Sequence, residues 1–161
     1  MQELFHFDCA REVYQADACI ISCFDARFDL AVRKFLKRRG ILTYDQIKIP
    51  GSAKFLATPD TEADRDFVLR MVRVSMRLHR PTRLWMFAHS DCGAYPDTPV
   101  ETQTADLQTA AQFLRGSEPA LAVECFFADF DGIYSGTSMI RTCQGQTELS
   151  LHSEENPEAP R

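Results

Sequence analysis

Apolar residues along this chain fall into short continuous runs separated by stretches in which they recur at helical spacing. The continuous runs predict strands at residues 18–24, 47–51, 84–88 and 121–128. The helical spacing predicts helices at residues 28–39, 61–80 and 101–115. Near-continuous apolar runs are typical of strands buried on both faces of a parallel sheet. The pattern therefore predicts a single α/β domain with a mostly parallel sheet of four to five strands, in the order 2-1-3-4, flanked by helices.

The two ends of the chain carry weaker patterns. In residues 1–17 a few aromatic and aliphatic side chains recur at roughly helical intervals, which predicts a short helix packed on the body of the protein or on a partner subunit. Residues 144–161 are polar and acidic and contain proline, which predicts a loosely held tail. We therefore expect a domain at residues 1–143 followed by an acidic tail.

Length and composition agree with one globular domain. The chain has 161 residues, of which 45% are hydrophobic and 25% charged, and no apolar run approaches the length needed to cross a bilayer. The start lacks the pattern of a secretory signal, so we predict a cytoplasmic location. The net charge of −5 gives no electrostatic reason to expect nucleic acid or an anionic membrane as a partner.

The six cysteines form no regular paired pattern, and we expect them to be reduced. Cys19 and Cys125 lie within strand-like apolar runs, where a small buried hydrophobic residue is the simplest interpretation. Cys23 and Cys92 differ, because each follows an apolar run and stands among polar residues.

Reactive side chains follow two of the predicted strands. The first run leads into Cys23, Asp25 and Arg27, which occupy alternate positions and would point the same way if the strand continued. The third run leads into His89 and Cys92. In the order 2-1-3-4 these two strands are neighbours, and ligands bind at the carboxyl ends of parallel strands where the winding reverses. The sequence therefore predicts that the five side chains share one site.

Two thiols and an imidazole suit zinc. A catalytic zinc keeps three protein ligands and one open position, and it lowers the pKa of a bound water to about 7. Asp25 could accept a hydrogen bond from that water while Arg27 keeps the carboxylate ionised, or Asp25 could itself bind the metal and close the site. A structural zinc with Asp25 as fourth ligand and a redox or nucleophilic role for Cys92 are the alternatives.

The two motifs together resemble the paired signature of the β-class carbonic anhydrases. The first motif, Cys23-Phe-Asp25-Ala-Arg27, matches Cys-x-Asp-x-Arg. The second motif, His89-Ser-Asp-Cys92-Gly93, matches His-x-x-Cys-Gly. The likeness covers roughly residues 18 to 135 and implies the fold of that family. It also implies that Cys23, His89 and Cys92 bind Zn²⁺ and that Asp25 with Arg27 forms the dyad that orients a zinc-bound hydroxide.

The resemblance implies an enzyme, a zinc lyase that reversibly hydrates carbon dioxide to bicarbonate, and a homodimer or larger homo-oligomer. Two departures keep other functions open. Ala26 stands where the family commonly has serine, and Lys48-Ile-Pro-Gly-Ser52 replaces the usual Arg-Asn-Ala-Gly-Asn loop. The alternatives are hydrolysis of a related heterocumulene, carbonyl sulfide or carbon disulfide, and a non-catalytic module that binds zinc or bicarbonate.

Asp91 and the other three histidines have simpler interpretations. We predict that Asp91 caps a turn or faces solvent. We predict that His6, His79 and His152 are exposed, with His79 at a helix end where a cation suits the helix dipole.

Overall fold

The computed structural model describes residues 2–136 of the chain. The strands of this part are β1 (Ala18–Ser22), β2 (Tyr44–Lys48), β3 (Arg83–His89), β4 (Ala122–Asp129) and β5 (Gly132–Ser135). The α-helices are α1 (Asp29–Arg38), α2 (Lys54–Ala57), α3 (Glu62–His79) and α4 (Val100–Ser117), and a 3₁₀ turn spans Ala26–Phe28.

The strands form one sheet in the order β2-β1-β3-β4-β5, which confirms the predicted order of the first four. β1 pairs in parallel with both β2 and β3, and β3 pairs in parallel with β4. β5 is antiparallel to β4 and follows it after a two-residue turn, where Asp129 faces Gly132. Every residue of β1 is buried, as expected for a strand near the middle of a parallel sheet.

Helices cover both faces of the sheet. On one face α3 and α4 pack Val72 and Leu107 against residues such as Met86. On the other face α1 packs Leu36 against an aromatic cluster that contains Trp85. The chain therefore buries its apolar strand residues between two helical layers, and the carboxyl ends of the parallel strands emerge together at one edge.

The amino-terminal prediction was wrong. Residues 2–16 contain no helix or strand, and the apolar side chains before Tyr14 lie largely exposed. Tyr14 is held instead by its hydroxyl, which donates to Asp45 Oδ1 at 2.6 Å. A short helix is marginal in water without tertiary packing, and no residue of this segment belongs to the buried apolar clusters of the described residues.

Two other differences concern boundaries. The second strand lies at Tyr44–Lys48, a few residues earlier than predicted, and the short helix α2 occupies part of the predicted loop that follows it. The predicted acidic tail at residues 144–161 lies outside the described residues. None of the helices in residues 2–136 has the length and apolar character that crossing a bilayer requires.

The start of α3 forms a capping box. The Thr61 hydroxyl accepts the backbone N–H of Asp64, and the Asp64 carboxylate accepts the backbone N–H of Thr61 at 3.0 Å. We expect Thr61→Ala to lower the free energy of unfolding by about 1 kcal/mol, because the backbone N–H of Asp64 loses its side-chain acceptor. Urea denaturation measures this. Thr109→Ala, at an exposed position inside α4, is the control and should be neutral or stabilising. Equal losses in both variants would contradict the cap.

Candidate metal centre

Three metal-binding side chains meet where β1 and β3 end. The two strands are parallel neighbours, so Cys23, just after β1, lies beside His89 and Cys92 at the end of β3. Their ligand atoms all lie within 4.8 Å of one another. The two sulfur atoms are 4.0 Å apart, and a tetrahedral zinc with Zn–S bonds of about 2.3 Å would place them about 3.8 Å apart. The spacing therefore fits a tetrahedral metal ion.

The orientation of His89 supports the same conclusion. Its Nδ1 lies 2.8 Å from the carbonyl oxygen of Ser90, which can only accept, so Nδ1 carries the proton and Nε2 presents a lone pair. His89 is 4% exposed, and its buried Nε2 has no hydrogen-bond partner among the described residues. Leaving a buried polar atom unpaired is costly, and a metal ion would satisfy it.

The two thiols share protons with each other. The side-chain hydrogen bond between them lowers the pKa of Cys23 and raises the pKa of Cys92. Two thiolates this close repel each other, so the pair keeps one proton until a cation compensates the second negative charge. Both cysteines are free, and the arrangement is suited to a divalent cation.

A backbone amide that sequence reasoning missed also contacts this pair. Hydrogen bonding from the Gly51 backbone acts to lower the pKa of both Cys23 and Cys92 and so favours their thiolate forms. Gly51 has φ +69°, and a Cβ there would lie 2.9 Å from the Cβ of Ala94. Only glycine allows so close an approach. The sequence signal was the Pro-Gly pair, interpreted as the end of a strand and as part of the altered loop at 48–52.

Asp25 reaches its partner by a different route from the one predicted. The strand ends at Ser22, so alternation along a strand does not orient Asp25 and Arg27. Asp25 instead caps the 3₁₀ turn, and its Oδ1 accepts the backbone N–H of Arg27 at 3.0 Å. The Arg27 side chain folds back, with Nε 3.0 Å and Nη2 2.6 Å from Asp25 Oδ2. These hydrogen bonds from Arg27 lower the pKa of Asp25 to about 2, so Asp25 stays ionised.

Arg27 also binds Asp91. Its Nη1 donates to Asp91 Oδ2 at 2.7 Å, and its Nη2 donates to the Asp91 backbone carbonyl at 3.0 Å. The Asp91 side chain is 73% exposed, as predicted, but the ion pair with a residue 64 positions away was not predicted. No local pattern could have revealed it.

A small cavity of about 10 Å³ adjoins Cys23, Asp25 and His89. Most of its wall is apolar and consists of Phe28, Val32, Phe87, Ala88 and Ala128. Within the part of the chain that the structure describes, no residue of the loop 48–52 lines this cavity. The departure of that loop from the β-class pattern therefore replaces no residue of this cavity wall.

The other predicted residues lie where their roles suggested, with one exception. Cys19 and Cys125 are buried, and His6 is exposed. His79 is not exposed as predicted: its side chain is 25% accessible, and its Nδ1 lies 2.8 Å from Asp45 Oδ1. The position of Asp45 on the neighbouring strand explains the difference. His152 lies outside the described residues.

Comparisons with known proteins agree with this geometry. A family model described as "Putative carbonic anhydrase" matches residues 13–134. A search of curated proteins finds no match.

Solved structures of carbonic anhydrases are similar in fold. A carbonic anhydrase from Glaciozyma antarctica gives a TM-score of 0.56 at 14% identity, covering 78% of this chain and 85% of that one. A carbonic anhydrase from Streptococcus mutans gives 0.58 at 13% identity, covering 81% and 87%. A tetrameric β-carbonic anhydrase from the filamentous ascomycete Sordaria macrospora gives 0.54 at 11% identity, covering 76% and 81%. At these identities the likeness shows a shared fold.

Proposed function

The chain belongs to this carbonic anhydrase family, and from that premise we propose that it reversibly hydrates carbon dioxide to bicarbonate with a zinc ion held by Cys23, His89 and Cys92. One observation carries the proposal. The buried, unpartnered Nε2 of His89 faces a pair of thiols with the sulfur spacing of a tetrahedral zinc centre. Within residues 2–136 three protein ligands converge, which leaves one position for a reacting molecule, as catalytic zinc sites require.

Zinc would supply a water that ionises near neutral pH and can attack carbon dioxide, giving bicarbonate and a proton. The chain's own residues would orient the reactants. Asp25, kept ionised by Arg27, offers a hydrogen-bond acceptor beside the metal ligands. The apolar wall formed by Phe28, Val32 and their neighbours is suited to a small linear substrate that cannot donate hydrogen bonds, and it excludes bulk water.

Carbonyl sulfide and carbon disulfide remain the second candidates, because they have the same linear shape. The altered loop was the reason to consider them. Its Gly51 contacts the thiols, and its Lys48 forms an ion pair with Asp29 at the cavity, so the loop does act near the site.

We extend two further proposals from the family. The chain is proposed to form a homodimer or larger homo-oligomer. The exposed aromatic side chains of Phe24, and of Phe130 beside Arg27, support this, because a second subunit would cover them. A reducing compartment such as the cytoplasm suits a protein whose described cysteines are free.

Stopped-flow measurement of carbon dioxide hydration by the zinc-loaded protein tests the proposal. We expect saturable hydration with kcat/KM of about 10⁴ M⁻¹ s⁻¹ or more, and loss of this activity after the metal is removed by a chelator. Sulfide release from carbonyl sulfide is measured in parallel. Hydration that is absent between pH 7 and pH 9 would contradict the proposal. Sulfide release in its place would assign the second substrate class, and inactivity toward both substrates with zinc bound would indicate a non-catalytic module.

A further inference from the structure

Arg27 lies between two carboxylates, and only one of them belongs to the motif that identified the site. Along one edge of the guanidinium, Nε and Nη2 hold Asp25. Along the other edge, Nη1 and Nη2 hold the side chain and the backbone carbonyl of Asp91. All three nitrogens of the planar group are therefore engaged, and contacts on either edge constrain the orientation of the other.

The backbone of Asp91 is shaped for this contact. Asp91 has φ +53°, a left-handed conformation that aspartate and asparagine tolerate better than most residues. The bend occurs between His89 and Cys92, and it turns the carbonyl of Asp91 toward Arg27. The loop that carries two of the metal-binding side chains is thus tied directly to the residue that holds Asp25.

Few other contacts restrict the orientation of the Arg27 guanidinium. Its guanidinium carbon lies 5.8 Å from the ring centre of Phe28 and 5.6 Å from that of Phe130, while the side chain is 47% exposed. The rings restrict its faces but do not fix its rotation in the plane. In the described part of the chain, the charged groups in contact with it are Asp25 and Asp91.

We infer that Asp91 is a positioning residue: by holding the far edge of Arg27, it keeps Asp25 paired with Arg27 and away from the Cys23, His89 and Cys92 cluster. This inference rests on the proposed function of that cluster. Without the Asp91 carboxylate, Nη1 loses its partner and the exposed guanidinium can turn toward solvent. Asp25 then loses the restraint that separates it from the metal ligands, and the site changes from open to closed.

The chain offers a matched control for the test. Asp97 lies in the same loop, is exposed and has φ +50°, but it makes no contact with Arg27. Glycine accepts the left-handed conformation at both positions, so Asp91→Gly and Asp97→Gly remove a carboxylate at similar conformational cost. Asp91→Asn keeps the backbone and an oxygen that can accept from Nη1.

Two measurements distinguish positioning from a surface ion pair. The visible absorption of the cobalt(II)-substituted protein reports the ligands around the ion, and stopped-flow kinetics report kcat. We expect Asp91→Gly to shift the cobalt spectrum and to lower kcat by about 10- to 100-fold, with zinc affinity at least that of the wild type in competition with a chelator. Asp91→Asn should recover most of both values, and Asp97→Gly should match the wild type.

A double variant shows whether the effect passes through Asp25. If it does, Asp25→Ala with Asp91→Gly has the same cobalt spectrum as Asp25→Ala alone. A cobalt spectrum of Asp91→Gly that equals that of Asp97→Gly would overturn the inference, and so would lower zinc affinity without a spectral shift. If the wild type hydrates no carbon dioxide while the spectral shift through Asp25 persists, the proposed function fails and the positioning role stands.

Discussion

Replacing Cys23 with serine is expected to remove zinc from the protein and reduce carbon dioxide hydration to the background rate. The thiolate is one of the three ligands that converge on the site in the described part of the chain, and a serine hydroxyl is a poor zinc ligand at neutral pH. His89 and Cys92 alone would leave the ion with two protein ligands. Zinc content after dialysis against a metal buffer and stopped-flow hydration are the two measurements.

The fold should survive this substitution. Cys23 lies just beyond β1 and is only partly buried, so serine there disturbs little of the core. Cys9→Ser is the matched control, because Cys9 is an exposed free cysteine outside the site. It should keep wild-type zinc and activity. A Cys23→Ser protein that retains zinc at wild-type affinity would show that the cluster is not the metal centre.

Asp25→Asn is expected to lower kcat by about 10²- to 10⁴-fold while zinc remains bound. Because Arg27 lowers the pKa of Asp25 to about 2, the carboxylate is ionised throughout any assay above about pH 4 and can accept hydrogen bonds on both oxygens. The amide offers one oxygen and loses the charge that pairs with Arg27. Stopped-flow hydration gives kcat, and elemental analysis gives the zinc content.

Asp8→Asn is the control for Asp25→Asn, since Asp8 has an exposed side chain in the amino-terminal segment, outside the site. It should leave kcat unchanged. Unaltered kcat in Asp25→Asn would remove Asp25 from the proposed catalytic group. Loss of zinc in that variant would indicate instead that Asp25 helps to hold the metal.

Most of the sheet could be predicted from local patterns. The runs that became β1, β3 and β4 are nearly continuous in apolar residues because both faces of those strands are covered by helices. The helix predicted at residues 61–80 agrees closely with α3. The prediction of an amino-terminal helix failed because the helically spaced apolar residues stay exposed and join no buried cluster of the described residues, and spacing alone does not stabilise a helix.

The metal-binding side chains were predictable because each lies at or shortly after the carboxyl end of a strand of the parallel sheet. Cys23, His89 and Cys92 needed only the strand ends and the strand order to be brought together. The contacts around them were not predictable in the same way. The contact of Gly51 with the two thiols and the partial burial of His79 could not be predicted, because their partners lie on other elements.

The sequence by itself determined the alternation of strands and helices, the strand order and the identity of the three side chains suited to zinc. These follow from periodicity and from the position of residues at strand ends, which are local properties of the chain. Only the tertiary structure decided that Asp25 pairs with Arg27 and that Arg27 also binds Asp91. The first contact depends on the 3₁₀ turn that Asp25 caps, and the second depends on the left-handed backbone of Asp91, which lies 64 positions from Arg27. Both contacts form only once the loops after β1 and β3 lie at the same edge of the sheet.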